Sequence, residues 1–304
     1  MKIVMLGHSN AGKTTYIATM YGLMRSGYRG FRVRATDEAQ DRDLAASARA
    51  IRSGRYPPPS SRRDEHSFEL TYRGRRIADF TWTDYRGGAL GERASDAETA
   101  AVLAELGRAD GLVLFVDAAR LAAATAGDHE VRRLTVLLQR AIGARSRTVP
   151  VVLACTKADL VSGADAWSRA VAPIRELAGA ITGSPRVAGV TVAVSCGRTP
   201  QAVHVPVLWC VLQHLSARVA ELRAEVERSR RLSLAAGSGA GLWNSLVSTL
   251  DGSESEHRRH VRLAREARER LGELEPLEEP AGKLITALRG SRATLVPPFT
   301  AGLR

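Results

Sequence analysis

The opening of the chain places a glycine-rich turn between an apolar run and a helical pattern. The run at 2–6 is followed by GHSNAGKT at 7–14 and by a helical pattern over 13–26. Gly7 and Gly12 permit the sharp turn that this connection needs. Backbone N–H groups in the first turn of a helix attract anions. The segment therefore predicts a phosphate-binding loop between a buried strand and a helix.

The side chains of this loop have candidate roles. Lys13 can reach the β- and γ-phosphate oxygens of a nucleotide, and the Thr14 hydroxyl can ligate Mg²⁺. The other predicted nucleotide contacts of the loop are Ser9, Asn10, Ala11, Gly12 and Thr15. We expect the ring of His8 to face solvent.

The chain alternates short apolar runs with helical patterns as far as about residue 215. The runs lie at 3–6, 68–72, 77–83, 112–117, 149–155 and 190–195. The helical patterns lie at 13–26, 96–107, 128–143, 165–181 and from 204 onward. This alternation predicts the α/β class, with a mostly parallel sheet flanked by helices. The closely spaced second and third runs indicate a hairpin, so we expect one antiparallel edge strand.

Residues 28–66 do not follow this alternation. They hold a possible strand at 31–34, a helical pattern at 37–53 and a proline-rich stretch at 54–61 that cannot be helical. We interpret the region as an insertion into the first domain.

The last third of the chain has a different pattern. Apolar residues three and four positions apart from 207 to 226 predict that the last helix of the domain continues as an arm, with a flexible break at 233–241. The sequence thus predicts a domain over 1–215 and an α-helical extension over 216–304. The later helices either pack back on the arm or form a partner surface, including a homo-oligomer or coiled-coil contact through 207–230.

Two further motifs close apolar runs. In DYRG at 84–87, Asp84 can hold Mg²⁺ through water, and the Gly87 N–H can meet a γ-phosphate. In TKAD at 156–159, the Asp159 carboxylate can accept hydrogen bonds from N1–H and the 2-amino group of guanine. Adenine lacks both donors, so the predicted base is guanine.

Several residues near TKAD remain to be placed. Thr156 belongs to the predicted base site, and the stem of Lys157 can lie over the base. A plain capping role for Asp159 would leave Lys157 unexplained in a chain with few lysines. Backbone N–H groups at Ser195 and Cys196 could meet the guanine O6. Asp117 ends the run at 112–117, where such a residue usually caps the next segment.

Composition limits the binding partners and the cellular compartment that we expect. The formal net charge of +12 is nearly all arginine, and we expect neither nucleic acid nor a membrane as the partner. Cys155, Cys196 and Cys210 lack the spacing of a zinc site or a disulfide framework. No signal peptide is visible, so we expect a cytoplasmic protein.

The motifs GHSNAGKT, DYRG, TKAD and SC, in this order, resemble the translation-factor and Ras-like class of P-loop GTPases. The opening MKIVMLGHSNAGKTTYIATMYG and the insertion before RYPPPSS are similar to bacterial double-GTPase proteins of conflict and signalling gene clusters. The resemblance implies a six-stranded sheet that binds GTP or GDP with Mg²⁺ at its strand ends, and an effector or regulator protein as partner.

The chain departs from that class at two positions. Gly88 stands where Ras-like proteins have the glutamine that orients the attacking water. Arg86, Glu92 or a partner residue could replace it, with Lys13 and Gly87 as the other catalytic candidates. The threonine of the first switch is also missing: Thr36 lies too far upstream, whereas Ser60 or Ser61 could ligate Mg²⁺.

Three functions remain open at this point. The leading hypothesis is a slowly hydrolysing GTP switch that controls partner binding. The alternative is a non-hydrolysing, GTP-dependent interaction module that acts through its C-terminal helices. The third is a P-loop kinase or ATPase.

Overall fold

The computed structural model describes residues 1–58, 64–84, 96–123, 128–143 and 145–238. Beyond residue 238 it describes 265, 279–280, 282–286 and 288. Two compact units are present. The first contains Met1–His214 and the described residues from Leu284 onward, and the second contains the described residues of Leu215–Lys283.

The first unit is built on a seven-stranded sheet with the strand order β2-β3-β4-β1-β5-β6-β7. The strands are β1 (Lys2–Gly7), β2 (Phe31–Ala35), β3 (Asp64–Tyr72), β4 (Arg75–Asp84), β5 (Gly111–Asp117), β6 (Val149–Thr156) and β7 (Val187–Ala193). Strands β4, β1, β5, β6 and β7 are parallel to one another. Their carboxyl ends therefore meet at one edge of the sheet.

The expected count of six strands was one too low, and the antiparallel strand was expected in the wrong place. The possible strand at 31–34 is a real strand, β2, and it forms the edge of the sheet. Strand β3 is antiparallel to both β2 and β4, so it lies one position inside the edge. The hairpin itself is confirmed. Pairing of β2 with β3 spans a whole helix, and local sequence patterns do not report such contacts.

Up to residue 238, the described part of the chain forms seven α-helices that surround the sheet or follow it. They are α1 (Lys13–Ser26), α2 (Glu38–Arg52), α3 (Asp96–Arg108), α4 (Ala118–Ala122), α5 (Asp128–Gly143), α6 (Ala164–Gly183) and α7 (Val205–Ser238). One large apolar core, which includes Leu6, Leu114, Leu153 and Leu177, packs β1, β5 and β6 against α3, α5 and α6. Burial of these continuous apolar runs holds the parallel strands between helices.

The predicted insertion forms an ordered helix that packs on α1. The Asp37 side chain caps α2 by accepting a hydrogen bond from the Gln40 N–H at 2.8 Å. Asp41 of α2 accepts hydrogen bonds from Tyr21 and from Arg25. A Cβ at Gly22 would lie 2.6 Å from the Cβ of Ala48, so the two helices approach closely at a glycine. Helix α2 is therefore held against the first helix.

Helix α7 is longer than the sequence predicted. It runs for 34 residues to Ser238 and continues through the expected break at 233–241 as far as it is described. The residues Leu234, Ala235 and Ala236 favour helix, and this outweighs the cost of the single Gly237. No helix in the described part of the chain is long and apolar enough to cross a bilayer.

Candidate nucleotide site

A cavity of about 510 Å³ opens at the edge where the parallel strands end. It collects most of the residues that the sequence predicted to bind nucleotide or Mg²⁺. Those that line it are Ser9, Asn10, Ala11, Gly12, Lys13, Thr14, Thr15, Asp84, Thr156, Lys157, Asp159 and Cys196. The loop after β1 and the turn after β6 form two different parts of its wall. Motifs separated by about half of the chain thus share one cavity.

The phosphate loop has the backbone that its sequence predicts. Asn10 and Gly12 adopt left-handed conformations, with φ of 66° and 86°, and α1 begins at the next residue. A Cβ at Gly7 would lie 2.8 Å from the carbonyl oxygen of Phe115, so only glycine fits against β5 at this position. The N–H groups of the first turn of α1 have no partner within the helix and suit an anion.

Lys13 is held inside this loop. Its ammonium donates to the carbonyl oxygens of Gly7 at 2.7 Å and His8 at 3.3 Å. It lies 3.9 Å from Oδ1 of Asp84. Burial lowers the pKa of Lys13, and the nearby Asp84 carboxylate opposes that shift. The ammonium is thus a buried cation at the loop, placed for a multiply charged anion.

Asp84 faces the same point from the end of β4. Burial raises its pKa to about 6, while Lys13 and a hydrogen bond from Thr14 act in the opposite direction. Its Oδ1 atom is fully buried and accepts no hydrogen bond from any described residue. Mg²⁺ prefers oxygen ligands. The Thr14 hydroxyl and the Oδ1 atom of Asp84 are both ligands of this kind. Thr14 and Asp84 therefore fit a Mg²⁺ site.

The raised pKa of Asp84 predicts a pH-dependent stability of the ligand-free protein. The folded pKa of about 6 lies above the ordinary value of 3.8, so folding favours the protonated acid. This contribution is complete below pH 3.8 and is lost as the pH rises through 6. We expect the free energy of unfolding to fall by about 3 kcal/mol over that interval, relative to Asp84→Asn.

Urea denaturation of both proteins at several pH values, with EDTA and without nucleotide, measures this difference. Titrating groups distant from position 84 affect the two proteins equally, so the difference between the curves reports Asp84 and its electrostatic interaction with Asp64 and Lys13. Parallel stability curves would contradict the assignment.

The turn after β6 builds the other part of the cavity. The Thr156 hydroxyl lies 2.8 Å from the carbonyl oxygen of Ala11 and 3.0 Å from that of Val116, so it ties β6 to the phosphate loop and to β5. Lys157 is left-handed, with φ of 54°, and leads into a single 3-10 turn over Ala158–Leu160. Asp159, in that turn, is exposed to the cavity.

Asp117 has two contacts at this point. One oxygen accepts a hydrogen bond from the Arg120 N–H at 3.0 Å and caps α4, as its position predicted. The other accepts one from the Lys157 ammonium at 2.5 Å. The sequence did not predict this second contact, which fixes the direction of the lysine stem along the cavity wall.

The structure places the two residues of the SC segment differently. Cys196 lines the cavity, and burial raises the pKa of its thiol to about 12. Ser195 is buried and does not line the cavity, and its N–H donates to the carbonyl oxygen of Gln201 at 3.1 Å. The Ser195 N–H is therefore not free to meet a base. This bridge to Gln201 joins residues beyond the strand, so the strand pattern did not show it.

Five residues that line the cavity were not predicted from the sequence. They are Tyr56, Pro57, Pro58, Leu160 and Gly197. A Cβ at Gly197 would lie 3.4 Å from the Tyr56 hydroxyl and 3.6 Å from Oδ2 of Asp159, so these two side chains flank the glycine. Tyr56 belongs to the segment that follows α2, so this segment forms part of the cavity wall. In the sequence, the signal for this contact was the position of Tyr56 directly before a run of prolines.

Tyr56 gives a second testable prediction. The residue is 58% exposed and presents its ring beside the predicted base site. We expect Tyr56→Ala to weaken GTP and GDP binding roughly fivefold through loss of about 1 kcal/mol of aromatic contact. Tyr56→Phe keeps the ring and should stay within about threefold of the wild type. Fluorescent-nucleotide titration measures both, and an unchanged affinity in Tyr56→Ala would remove the residue from the site.

His8 does not face solvent as expected. Its Nδ1 lies 3.6 Å from a carboxylate oxygen of Glu130, and its Nε2 lies 3.4 Å from the carbonyl oxygen of the same residue. Burial lowers the pKa of His8, and Glu130 opposes that shift. The ring joins the phosphate loop to α5. The contact could not be foreseen, because α5 lies more than a hundred residues further along the chain.

The model of one protein family, described as Double-GTPase 2, matches residues 2–203 of the chain. The chain belongs to the Double-GTPase 2 family. The match covers the whole sheet and all the cavity residues named above. Family membership supports guanine-nucleotide binding, and the P-loop GTPase assignment made from the motifs is confirmed. A search of proteins with curated descriptions finds no match.

Solved structures with similar folds are distant from this Double-GTPase 2 protein. A GTP-binding protein of Sulfolobus solfataricus in complex with GDP is 12% identical, with a TM-score of 0.36, and the match covers 64% of this chain and 46% of that one. The signal recognition particle receptor GTP complex of Chaetomium thermophilum is 14% identical, with a TM-score of 0.39 and coverages of 64% and 90%.

A third structure is an ADP-ribosylation-factor-like, small COPII coat GTPase of Encephalitozoon cuniculi in complex with GDP. It is 15% identical, with a TM-score of 0.34 and coverages of 64% and 69%. The match to the Sulfolobus protein covers 46% of that protein, so this chain spans less than half of its length.

Some predicted residues of this Double-GTPase 2 protein lie outside the described residues. They are Ser60, Ser61, Arg86, Gly87, Gly88 and Glu92. Their roles stay predictions from the sequence.

Proposed function

We propose that the chain binds GTP with Mg²⁺, hydrolyses it slowly, and changes its binding to a partner protein according to the nucleotide state. One observation carries the proposal: two different motifs line a single cavity. The phosphate loop contributes the buried ammonium of Lys13 and the start of α1, and another part of the wall contributes Lys157 and Asp159. A nucleoside triphosphate needs a base contact and phosphate contacts of this kind.

Guanine is the base that fits the Asp159 carboxylate. N1–H and the 2-amino group of guanine are adjacent donors, and one carboxylate can accept from both. Adenine offers no donor at either position, so its binding would leave this acceptor unpaired. The Lys157 stem, held by Asp117, would lie along the base. The backbone of Cys196 remains the candidate donor for the guanine O6.

Mg²⁺ would be held by Thr14 and Asp84. The predicted third protein ligand is the hydroxyl of Ser60 or Ser61. When bound, the cation would neutralise charge on the β- and γ-phosphates. Lys13 would do the same from the loop side, and the Gly87 N–H would meet the γ-phosphate.

Slow hydrolysis follows from the residue after the DYRG motif. Gly88 has no side chain with which to orient an attacking water. Arg86, Glu92 or a partner residue would have to supply that contact. Intrinsic rates in sites of this type are about 10⁻⁴ to 10⁻² per second, and a partner can raise them by about 10³ to 10⁵. We expect this protein near the lower limit.

The missing glutamine also favours a second candidate function. In it the chain binds GTP without cleaving it, and the helices of residues 216–304 bind the partner. Both candidates use the same nucleotide site and differ only in phosphate release.

The proposed setting is a bacterial signalling or defence system in the cytoplasm. An effector or regulator protein would be the partner, and residues 207–230 would offer a coiled-coil or homo-oligomer contact. The resemblance to conflict and signalling proteins supports this setting.

Three measurements test the proposal. The nucleotide that copurifies with the protein is released by denaturation and identified by chromatography, and we expect GDP or GTP. Titration should show GTP binding at least about 10³-fold tighter than ATP binding. Equal affinities would overturn the guanine assignment and favour the kinase or ATPase hypothesis.

Single-turnover hydrolysis of radiolabelled GTP then separates the two candidates. Phosphate release that requires Mg²⁺ and stops in Asp84→Ala supports the switch. Tight GTP binding with no phosphate release, alone or with an added partner, overturns the switch and supports the non-hydrolysing module.

A further inference from the structure

A second large cavity, of about 550 Å³, lies at the other end of the β2–β4 part of the sheet. It is bounded by the turn after α1, the edge strand β2 and the turn between β3 and β4. Phe31 pairs with Tyr72 at this end, whereas Asp84 closes β4 at the nucleotide end. This arginine groove is lined by Arg29, Arg32, Arg34 and Arg73 and does not overlap the nucleotide cavity.

The described lining of the groove carries more positive than negative charge, with four arginines and one glutamate. Among the described residues, the only acidic one that lines the groove is Glu69. It lies opposite Arg34 in the strand register and 3.5 Å from Arg76, which is outside the groove. Arg32 and Arg34 are exposed, and neither guanidinium forms an ion pair with a described residue. Guanidinium groups gathered in one recess repel one another, and an anion placed between them removes that repulsion.

The two turns hold their arginines in unusual backbone conformations. Arg29 and Arg73 both have φ of 49°, in the left-handed region that costs a residue with a Cβ on the order of 1 kcal/mol. Each precedes a glycine, and the Arg73 N–H donates to the carbonyl oxygen of Gly30 at 2.9 Å. The turns therefore lock together, and both arginines are fixed at the groove.

The arrangement along β2 matches an extended chain. Arg32 and Arg34 are two residues apart on the same face, so they repeat about every 6.6 Å. Alternate carboxylates of an extended peptide repeat at the same interval, and each guanidinium can bind one of them through two hydrogen bonds. The backbone edge itself is partly used, because the Phe31 N–H donates to Tyr28 and the Ala35 N–H to Tyr21.

We propose that the arginine groove binds an extended acidic peptide segment of a partner protein. Recognition would come from the guanidinium groups and would not require addition of a strand to the sheet. Single-stranded nucleic acid fits less well, because such sites use exposed aromatic rings for stacking. In the part of the groove lining that the structure describes, the one aromatic residue is Phe31, and it is fully buried.

The test uses the full chain and a fluorescein-labelled peptide of alternating glutamate and serine, about ten residues long, in about 50 mM salt. The matched peptide has glutamine at every glutamate position. Binding is followed by fluorescence anisotropy. We expect the glutamate peptide to bind at micromolar concentrations and the glutamine peptide to bind at least tenfold more weakly.

Two double variants locate the site. Arg32→Glu with Arg34→Glu should weaken binding of the glutamate peptide at least tenfold. Arg140→Glu with Arg175→Glu makes the same charge change at exposed helical positions outside the groove and should stay within about twofold. Both proteins should bind GTP like the wild type, so a failure here is distinct from a failure of the nucleotide site.

Three results would overturn the proposal. The first is equal loss of peptide binding in the two double variants, since that would show a general charge effect. The second is equal binding of the glutamate and glutamine peptides. The third is tighter binding of a deoxythymidine oligonucleotide or of phosphatidylserine vesicles, which compete in separate arms of the same assay.

Discussion

Lys13→Ala is expected to weaken GTP and GDP binding by about 10²- to 10³-fold. The ammonium is buried at the phosphate loop, 2.7 Å from the carbonyl oxygen of Gly7. Alanine removes the one side-chain cation that the described residues place at the phosphate loop. It also leaves Asp84 as an uncompensated acid beside them. Fluorescent-nucleotide titration or calorimetry measures the loss.

Lys283→Ala is the matched control for this substitution. Lys283 is exposed and lies outside the nucleotide cavity, so its loss should leave the affinity unchanged. Circular dichroism and thermal unfolding of Lys13→Ala test whether the variant is folded. A folded variant that keeps wild-type affinity would remove Lys13 from the site, and with it the proposed function.

Asp159→Asn is expected to change which base is bound. The variant keeps the shape of the side chain but replaces one acceptor oxygen with an amide donor that opposes the donors of guanine. Loss of two hydrogen bonds to a charged group should lower GTP affinity by about 10²-fold or more. ATP affinity should change little, so the preference for GTP should shrink to about tenfold or less.

Asp165→Asn makes the same change in charge at an exposed position in α6, outside the cavity. Its GTP and ATP affinities should equal those of the wild type. Xanthosine triphosphate provides an independent measurement, because its 2-oxo group can accept from the new amide. If Asp159→Asn bound GTP and ATP in the wild-type ratio, the guanine assignment would be wrong.

The sequence predicted the phosphate loop well because the loop is a local structure. A buried strand, a turn with Gly12 left-handed and a helix that starts at Lys13 are all encoded within about 25 residues, and the helix bounds of 13–26 were predicted to the residue. The α2 pattern, with its cap at Asp37, was likewise present in the local sequence. Such elements need no information about distant neighbours.

The strand pairing was less predictable. The run at 31–34 has alternating apolar and arginine residues, which indicates a strand but not its partner. Pairing with β3 made it the edge of the sheet and formed the arginine groove. Likewise, the proline-rich segment after α2 excluded a helix but did not show that Tyr56 would reach the wall of the nucleotide cavity.

The sequence by itself determined the chemistry of this protein: an ammonium and a hydroxyl at the phosphate loop, a carboxylate after β4 and a carboxylate after β6. Only the tertiary structure decided that Lys157 contacts Asp117, that His8 contacts Glu130 and that Ser195 is paired with Gln201. The physical reason is the range of the forces involved. Turns and helix starts are set by neighbouring residues, whereas side-chain contacts across strands depend on a strand order that is fixed by burial of the whole core.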